Sequence, residues 1–97
     1  MKLLSSEERH QLTDNLAGYW QVNDDRISCR LIFTDFITAF AFMSTLAIEA
    51  EKMNHHPTWT NTYNLLDIEL STHDAGGLTA LDFKLAGIID ERYSKLT

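Results

Sequence analysis

Residues 35–54 limit the fold of this 97-residue chain more than any other stretch. Thr34 is a plausible N-cap, and a helix is expected from Asp35 to about Asn54, where His55-His56-Pro57 stops it. Phe36, Phe40, Met43, Ala47 and Ala50 form one apolar stripe on that helix, and Ala39, Phe42, Leu46 and Met53 form a second on a different face. A helix apolar on two sides has more to bury than one small sheet can cover. The cover comes either from a second layer in the same subunit or from another subunit. A chain this short has little material for the first, so the reading favours a subunit interface.

The flanking segments supply the sheet. Ser5 with Glu8 is a capping-box pattern, Leu12 and Leu16 lie one turn apart, and Ala17-Gly18 closes this first helix. Tyr19 to Asn23 reads as a strand and Asn23-Asp24-Asp25 as a turn. Ile27, Cys29, Leu31 and Phe33 then alternate with Arg26, Ser28, Arg30 and Ile32, which predicts a second strand antiparallel to the first. After Pro57 a strand region is expected from Tyr63 to Thr72, breaking near Asn64, with Leu66, Ile68 and Leu70 alternating with Asp67, Glu69 and Ser71. Asp74-Ala75-Gly76-Gly77 is a turn, and Thr79 caps a final helix carrying Leu81, Leu85, Ile88 and Ile89. The order is α-β-β-α-β(β)-α. Strands in hairpins without helical crossovers predict a single antiparallel α+β domain over residues 1–97.

Composition removes several functions. Eight Lys and Arg against 14 Asp and Glu give a net charge of −6, which argues against a nucleic-acid groove. One cysteine, Cys29, excludes an internal disulfide, fits a reducing compartment, and reads as a buried thiol on an apolar strand face. No apolar run is long enough for a membrane span, and the first residues lack a signal-peptide core. A cytoplasmic, soluble protein is the expectation.

The chemistry concentrates in one tract. His55, His56 and His73 fall within 19 residues, bracketed by Pro57 and Gly76-Gly77. Imidazole is the side chain best suited to move protons near neutral pH. Each ring alone has a plainer role, in solvent or at a helix C-terminus. Together they suggest a site, provided the strand ending at Thr72 lies beside the end of the long helix. Glu51, four residues before His55, shares its helix face and is placed to orient it or to face solvent. Asp82, three residues after Thr79, is placed to start the last helix or to partner an imidazole. Trp20 and Trp59 suit either core packing or the wall of a slot for a planar ring. Adjacent histidines without cysteine fit zinc poorly, and no metal is expected.

Two tracts carry a resemblance. Glu51-Lys52-Met53-Asn54-His55-His56-Pro57-Thr58-Trp59, and Leu70-Ser71-Thr72-His73-Asp74-Ala75-Gly76-Gly77-Leu78-Thr79-Ala80-Leu81-Asp82, resemble the signature of the pterin-4a-carbinolamine dehydratases. Phe33-Thr34-Asp35-Phe36 with Ala39, Phe40 and Met43, and Trp20 upstream, are also similar to that family. The resemblance covers roughly residues 19–90. It implies a four-stranded antiparallel sheet with three helices on one face, α-β-β-α-β-β-α, assembled as a homodimer or homotetramer. It also implies dehydration of 4a-hydroxytetrahydropterin to quinonoid dihydropterin without metal or organic cofactor, in recycling of the pterin used by aromatic amino-acid hydroxylases. By that resemblance His55, His56 and His73 are catalytic. Glu51, Asp82, Trp20, Trp59, Pro57 and Thr72 bind or orient the substrate. The alternative expectation is a non-catalytic dimerisation or assembly cofactor that binds a partner protein through the long helix; a hydroxylase or another protein is a further expected partner.

Overall fold

The computed structural model describes residues 2–96. The elements are α1 (Ser6–Thr13), β1 (Gln21–Val22), β2 (Ile27–Ile32), α2 (Phe36–Met53), β3 (Thr58–Thr62), β4 (Leu65–Leu70), a 3-10 turn (His73–Ala75) and α3 (Ala80–Ser94). The four strands form one antiparallel sheet in the order β1-β2-β4-β3. This is the expected α-β-β-α-β-β-α fold.

Strand alternation builds the core. Ile27, Cys29 and Leu31 of β2, with Leu66, Ile68 and Leu70 of β4, point to the helical side and are buried. Ala39, Phe42 and Leu46 of α2, with Phe83, Leu85, Ala86 and Ile89 of α3, cover them. A fully buried leucine such as Leu46 contributes about 1.5–3 kcal/mol relative to leaving it in water. Leu4, Leu12 and Leu16 bring the α1 region onto the same core. Tyr93 of α3 secures the end of β2, where β1 is too short to reach. Its hydroxyl accepts from the Ile32 N–H at 3.1 Å and donates to the Ile32 carbonyl at 2.7 Å. Asp90, on the same helix, accepts from the Ala17 N–H, the Tyr19 hydroxyl and the Trp20 indole N–H.

The two stripes of α2 separate by environment. Ala39, Phe42, Leu46 and Ala50 are buried, so Ala50 belongs with the inner set, while Phe36, Phe40 and Ala47 are exposed and Met43 is half-buried. Phe36 and Phe40, whose rings lie 5.8 Å apart, join the exposed Ile37 and Ile48.

Several boundaries differ from expectation. The first helix ends at Thr13, and turns held by Asn15 N–H to Leu12 and Leu16 N–H to Thr13 carry the chain to Gly18. β1 keeps only two residues of the expected Tyr19–Asn23, because Ala17, Tyr19 and Trp20 are tied to Asp90. Asp35 rather than Thr34 caps α2, its carboxylate accepting the Thr38 N–H at 2.8 Å. The strand region starts earlier, at Thr58, and Tyr63-Asn64 is a hairpin turn with Tyr63 at φ 52°. Three β-branched threonines favour that strand without marking it by apolar alternation.

Candidate functional site

The site forms where α2 ends. Asn54 adopts a left-handed conformation, φ 51° and ψ 42°, and its N–H closes the last turn onto the Ala50 and Glu51 carbonyls. Asparagine tolerates this geometry better than most side chains. The chain then turns into β3, which pairs with β4 so that Thr58 faces Glu69. Just past the strand ends, His55 and Thr72 both reach the carboxylate of Asp82. The end of α2, the start of β3 and the end of β4 therefore meet, and the start of α3 joins them through Asp82.

His55 is 6% exposed, and its Nε2 lies 2.6 Å from Asp82 Oδ1. Asp82 is fully buried at the third position of α3. Its other oxygen, Oδ2, accepts from the Thr79 N–H at 3.0 Å and the Thr72 hydroxyl at 2.8 Å. The two threonine hydroxyls lie 2.8 Å apart. Asp82 thus completes the capping box of α3 and partners an imidazole at once. Spacing alone suggested the first role; the second depends on β4 and α2 arriving beside it.

His56 points the other way. Its Nε2 lies 2.7 Å from Glu51 Oε1, and both side chains are largely open to solvent. This corrects the expected pairing of Glu51 with His55. The four-residue spacing brings two side chains together only on a continuing helix, and Asn54 ends the helix first. Glu51, His56, Pro57 and Trp59 line one cavity of about 420 Å³ with Ala47 and Ala50. A carboxylate, an imidazole, a proline and an indole there can grip a flat, polar-edged molecule.

His73 opens the 3-10 turn after β4 and is exposed. Gly76, at φ 78°, lets the turn close through the Thr72–Gly77 bridge. His73 lines a separate cavity of about 240 Å³ with Ser71, Glu69, Arg26, Asp25, Gly76 and Gly77. Backbone placement brings His73 next to Thr72, and hence next to the Asp82 cluster, but its ring and that of His56 face different cavities. Trp20 lies in the core, its indole donating to Asp90 at 2.7 Å. It lines neither the cavity of His56 nor that of His73. Among the described residues, no three His, Cys, Asp or Glu side chains come together as a metal-binding group.

Sequence reasoning saw Thr79 only as a cap and had no structural role for Thr72. Thr-x-x-Asp marked the capping box. Nothing in the sequence shows that the same carboxylate has a second oxygen turned to a histidine 27 residues away.

The sequence pattern of a family described as Pterin 4 alpha carbinolamine dehydratase matches residues 2–92. Over 89 residues the chain is 49% identical to a Prochlorococcus marinus protein, covering 92% of each. It is 52% identical over 89 residues to one from Burkholderia pseudomallei, covering 91% of this chain and 88% of that one. Both relatives carry, provisionally, the name pterin-4-alpha-carbinolamine dehydratase. A crystal structure from Brucella melitensis, described as a transcriptional coactivator/pterin dehydratase, superposes with a TM-score of 0.87 at 38% identity, over 93% of this chain and 97% of that one.

Proposed function

Because this chain belongs to the pterin 4 alpha carbinolamine dehydratase family, we propose that it removes water from 4a-hydroxytetrahydropterin to give quinonoid dihydropterin. The observation that carries this reading is the pair of imidazole–carboxylate contacts on consecutive residues, His55 with Asp82 at 2.6 Å and His56 with Glu51 at 2.7 Å. Hydroxide is a poor leaving group, so the 4a oxygen must gain a proton as its bond to carbon breaks. The N5 proton must also leave, and the two transfers together release one water. Positioned imidazoles suit both transfers, and general acid–base catalysis of this kind contributes about 10²–10⁴-fold.

In this reading His55 and His56 include the general acid, and His73 binds substrate or serves as the second proton-transfer group. Glu51 and Asp82 orient the rings. Pro57 and Trp59 wall the cavity beside His56, Thr72 supports Asp82, and Trp20 borders the pocket only as far as the family resemblance places it there. The reaction fits recycling of the pterin cofactor of aromatic hydroxylases and requires no cofactor of its own. No helix among the described residues is long and apolar enough to cross a membrane.

A dehydration assay with freshly generated carbinolamine tests this. Wild-type protein accelerates the reaction over buffer, and His55→Ala, His56→Ala and His73→Ala each lose most of that gain at equal folded concentration. Wild-type protein no faster than buffer would reject the proposal.

One observation favours a second role alongside the first. Phe36, Ile37, Phe40 and Ile48 leave the outer face of α2 apolar and exposed, the surface on which a homodimer, a homotetramer or a partner protein would pack. The Brucella melitensis relative carries both descriptions, coactivator and dehydratase. Replacing His55 and His56 with alanine should leave binding through this face intact, and loss of binding would show that the two roles are not separate.

A further inference from the structure

The hydrogen bonds around Asp82 all run in one direction. The Thr79 N–H is a backbone donor that cannot turn into an acceptor, and it points at Oδ2 from 3.0 Å. The Thr72 hydroxyl also donates to Oδ2, at 2.8 Å. Its one proton is thereby used, so its contact with Thr79 Oγ1 must be filled by the Thr79 proton. Thr79 Oγ1 in turn accepts from the Leu81 N–H at 3.3 Å. Leu81, Thr79 and Thr72 each therefore donate toward the Asp82 carboxylate. Oδ2 has two donors and Oδ1 faces one ring nitrogen, so the carboxylate is left to accept from His55 as well.

We propose that the start of α3, acting through Asp82, fixes the proton of neutral His55 on Nε2 and makes Nδ1 the atom through which this ring exchanges protons with a substrate. Thr72 and Thr79 are positioning residues in this arrangement; they act on the ring through Asp82. A second observation agrees with the assignment. Nδ1 has no hydrogen-bond partner among the described residues, yet no buried side-chain nitrogen or oxygen there lacks one. The small open part of the side chain, 7% exposed, therefore includes Nδ1. The ring is held by its inner nitrogen and presents its outer one.

The part played by a substrate rests on the dehydratase reading, but the position of the proton does not. The test is nitrogen-15 NMR of the histidine rings in the full chain, without ligand, above the pH at which they are charged. The His55 signals are assigned as those lost in His55→Gln. Wild-type protein should show His55 with Nε2 protonated and Nδ1 bare; the opposite tautomer overturns the proposal without any variant. Asp82→Asn supplies the second arm. The two donors at Oδ2 force the amide oxygen toward Thr72 and Thr79, which turns the amide NH₂ toward His55. The ring proton should then move to Nδ1, and an unchanged tautomer would overturn the proposal. With the carbinolamine as substrate, kcat in Asp82→Asn should fall at least 100-fold with KM within about threefold, the pattern seen when a histidine is held in the wrong tautomer. A switched tautomer with kcat intact would remove Nδ1 from the chemistry. Wild-type protein with the expected tautomer and no dehydration would instead refute the dehydratase reading and leave the tautomer assignment standing.

Discussion

Replacing Asp90 with alanine should cost this protein a large part of its stability. The Asp90 carboxylate accepts three hydrogen bonds, from the Ala17 N–H at 2.9 Å, the Tyr19 hydroxyl at 2.6 Å and the Trp20 indole at 2.7 Å. Trp20 is buried, so its N–H is left without a partner in the alanine variant, at about 1–3 kcal/mol. Ala17 and Tyr19 are half-buried, and water replaces the carboxylate there at a net loss of about 0.5–1.5 kcal/mol each. The expected total is about 2–6 kcal/mol, against about 5–15 kcal/mol for a whole domain. Asp90→Asn should cost only about 1–2 kcal/mol, since its oxygen can still serve Tyr19 and Trp20 and only Ala17 meets the amide NH₂. Urea unfolding followed by tryptophan emission measures all three proteins, provided the slope is unchanged. A second readout is Tyr19, whose phenol is pushed well above the ordinary tyrosine range by burial and then by its bond to Asp90. It should titrate lower in the alanine variant while burial still holds it above the ordinary value. The reasoning is refuted if Asp90→Ala unfolds within about 0.5 kcal/mol of wild type, or if Asn costs as much as Ala.

Three further outcomes are expected. Burial, then the charges of Asp90 and Asp67, push the Cys29 thiol up to about 12. An aromatic disulfide reagent at mildly alkaline pH should leave native protein unlabelled and react at once in urea; prompt native labelling would contradict that burial. Glu8, Asp35 and Asp67 have pKa values below their ordinary 4.5, 3.8 and 3.8, held there by the Ser5 N–H, the Thr38 N–H and the Arg30 guanidinium. Each contributes stability that is complete above its ordinary value and lost as pH falls through the lower folded value. The melting temperature should fall on acidification below about pH 4, less steeply in Asp67→Asn, and equal acid slopes would remove the Arg30–Asp67 pair from the account. Phe40→Asp places a charge on the exposed face of α2 and should lower the mass seen by light scattering if copies assemble there, whereas a wild-type monomer would rule that assembly out.

What was legible in the sequence was what is decided locally. Ser5 with Glu8 and Thr79 with Asp82 name their capping boxes, and alternation through β2 and β4 names the buried face. β3 was missed because Thr58, Thr60 and Thr62 give no apolar contrast with Trp59 and Asn61. The site was legible as a set of residue types and not as a set of partners. Helical spacing matched Glu51 to His55, and a single left-handed residue at Asn54 gave Glu51 to His56 instead. Asp82 reaches His55 only because three elements meet at that point, and Trp20 is committed to Asp90 by a contact 70 residues long in sequence. Such pairings are fixed by tertiary packing, which periodicity does not encode.

The double duty of Asp82 affects how this site would decay in a lineage that no longer used it. Loss of Asp82 leaves the buried Thr79 N–H without its acceptor and removes half of the α3 capping box, and loss of His55 leaves a buried carboxylate oxygen without its partner, each at about 1–3 kcal/mol. Both residues are therefore retained by selection for a folded chain alone. The surface pair of His56 and Glu51 is worth at most about 1 kcal/mol to the fold. Among descendants of such a protein, erosion would begin at His56 and Glu51. An intact pair there says more about continued use than the buried residues do.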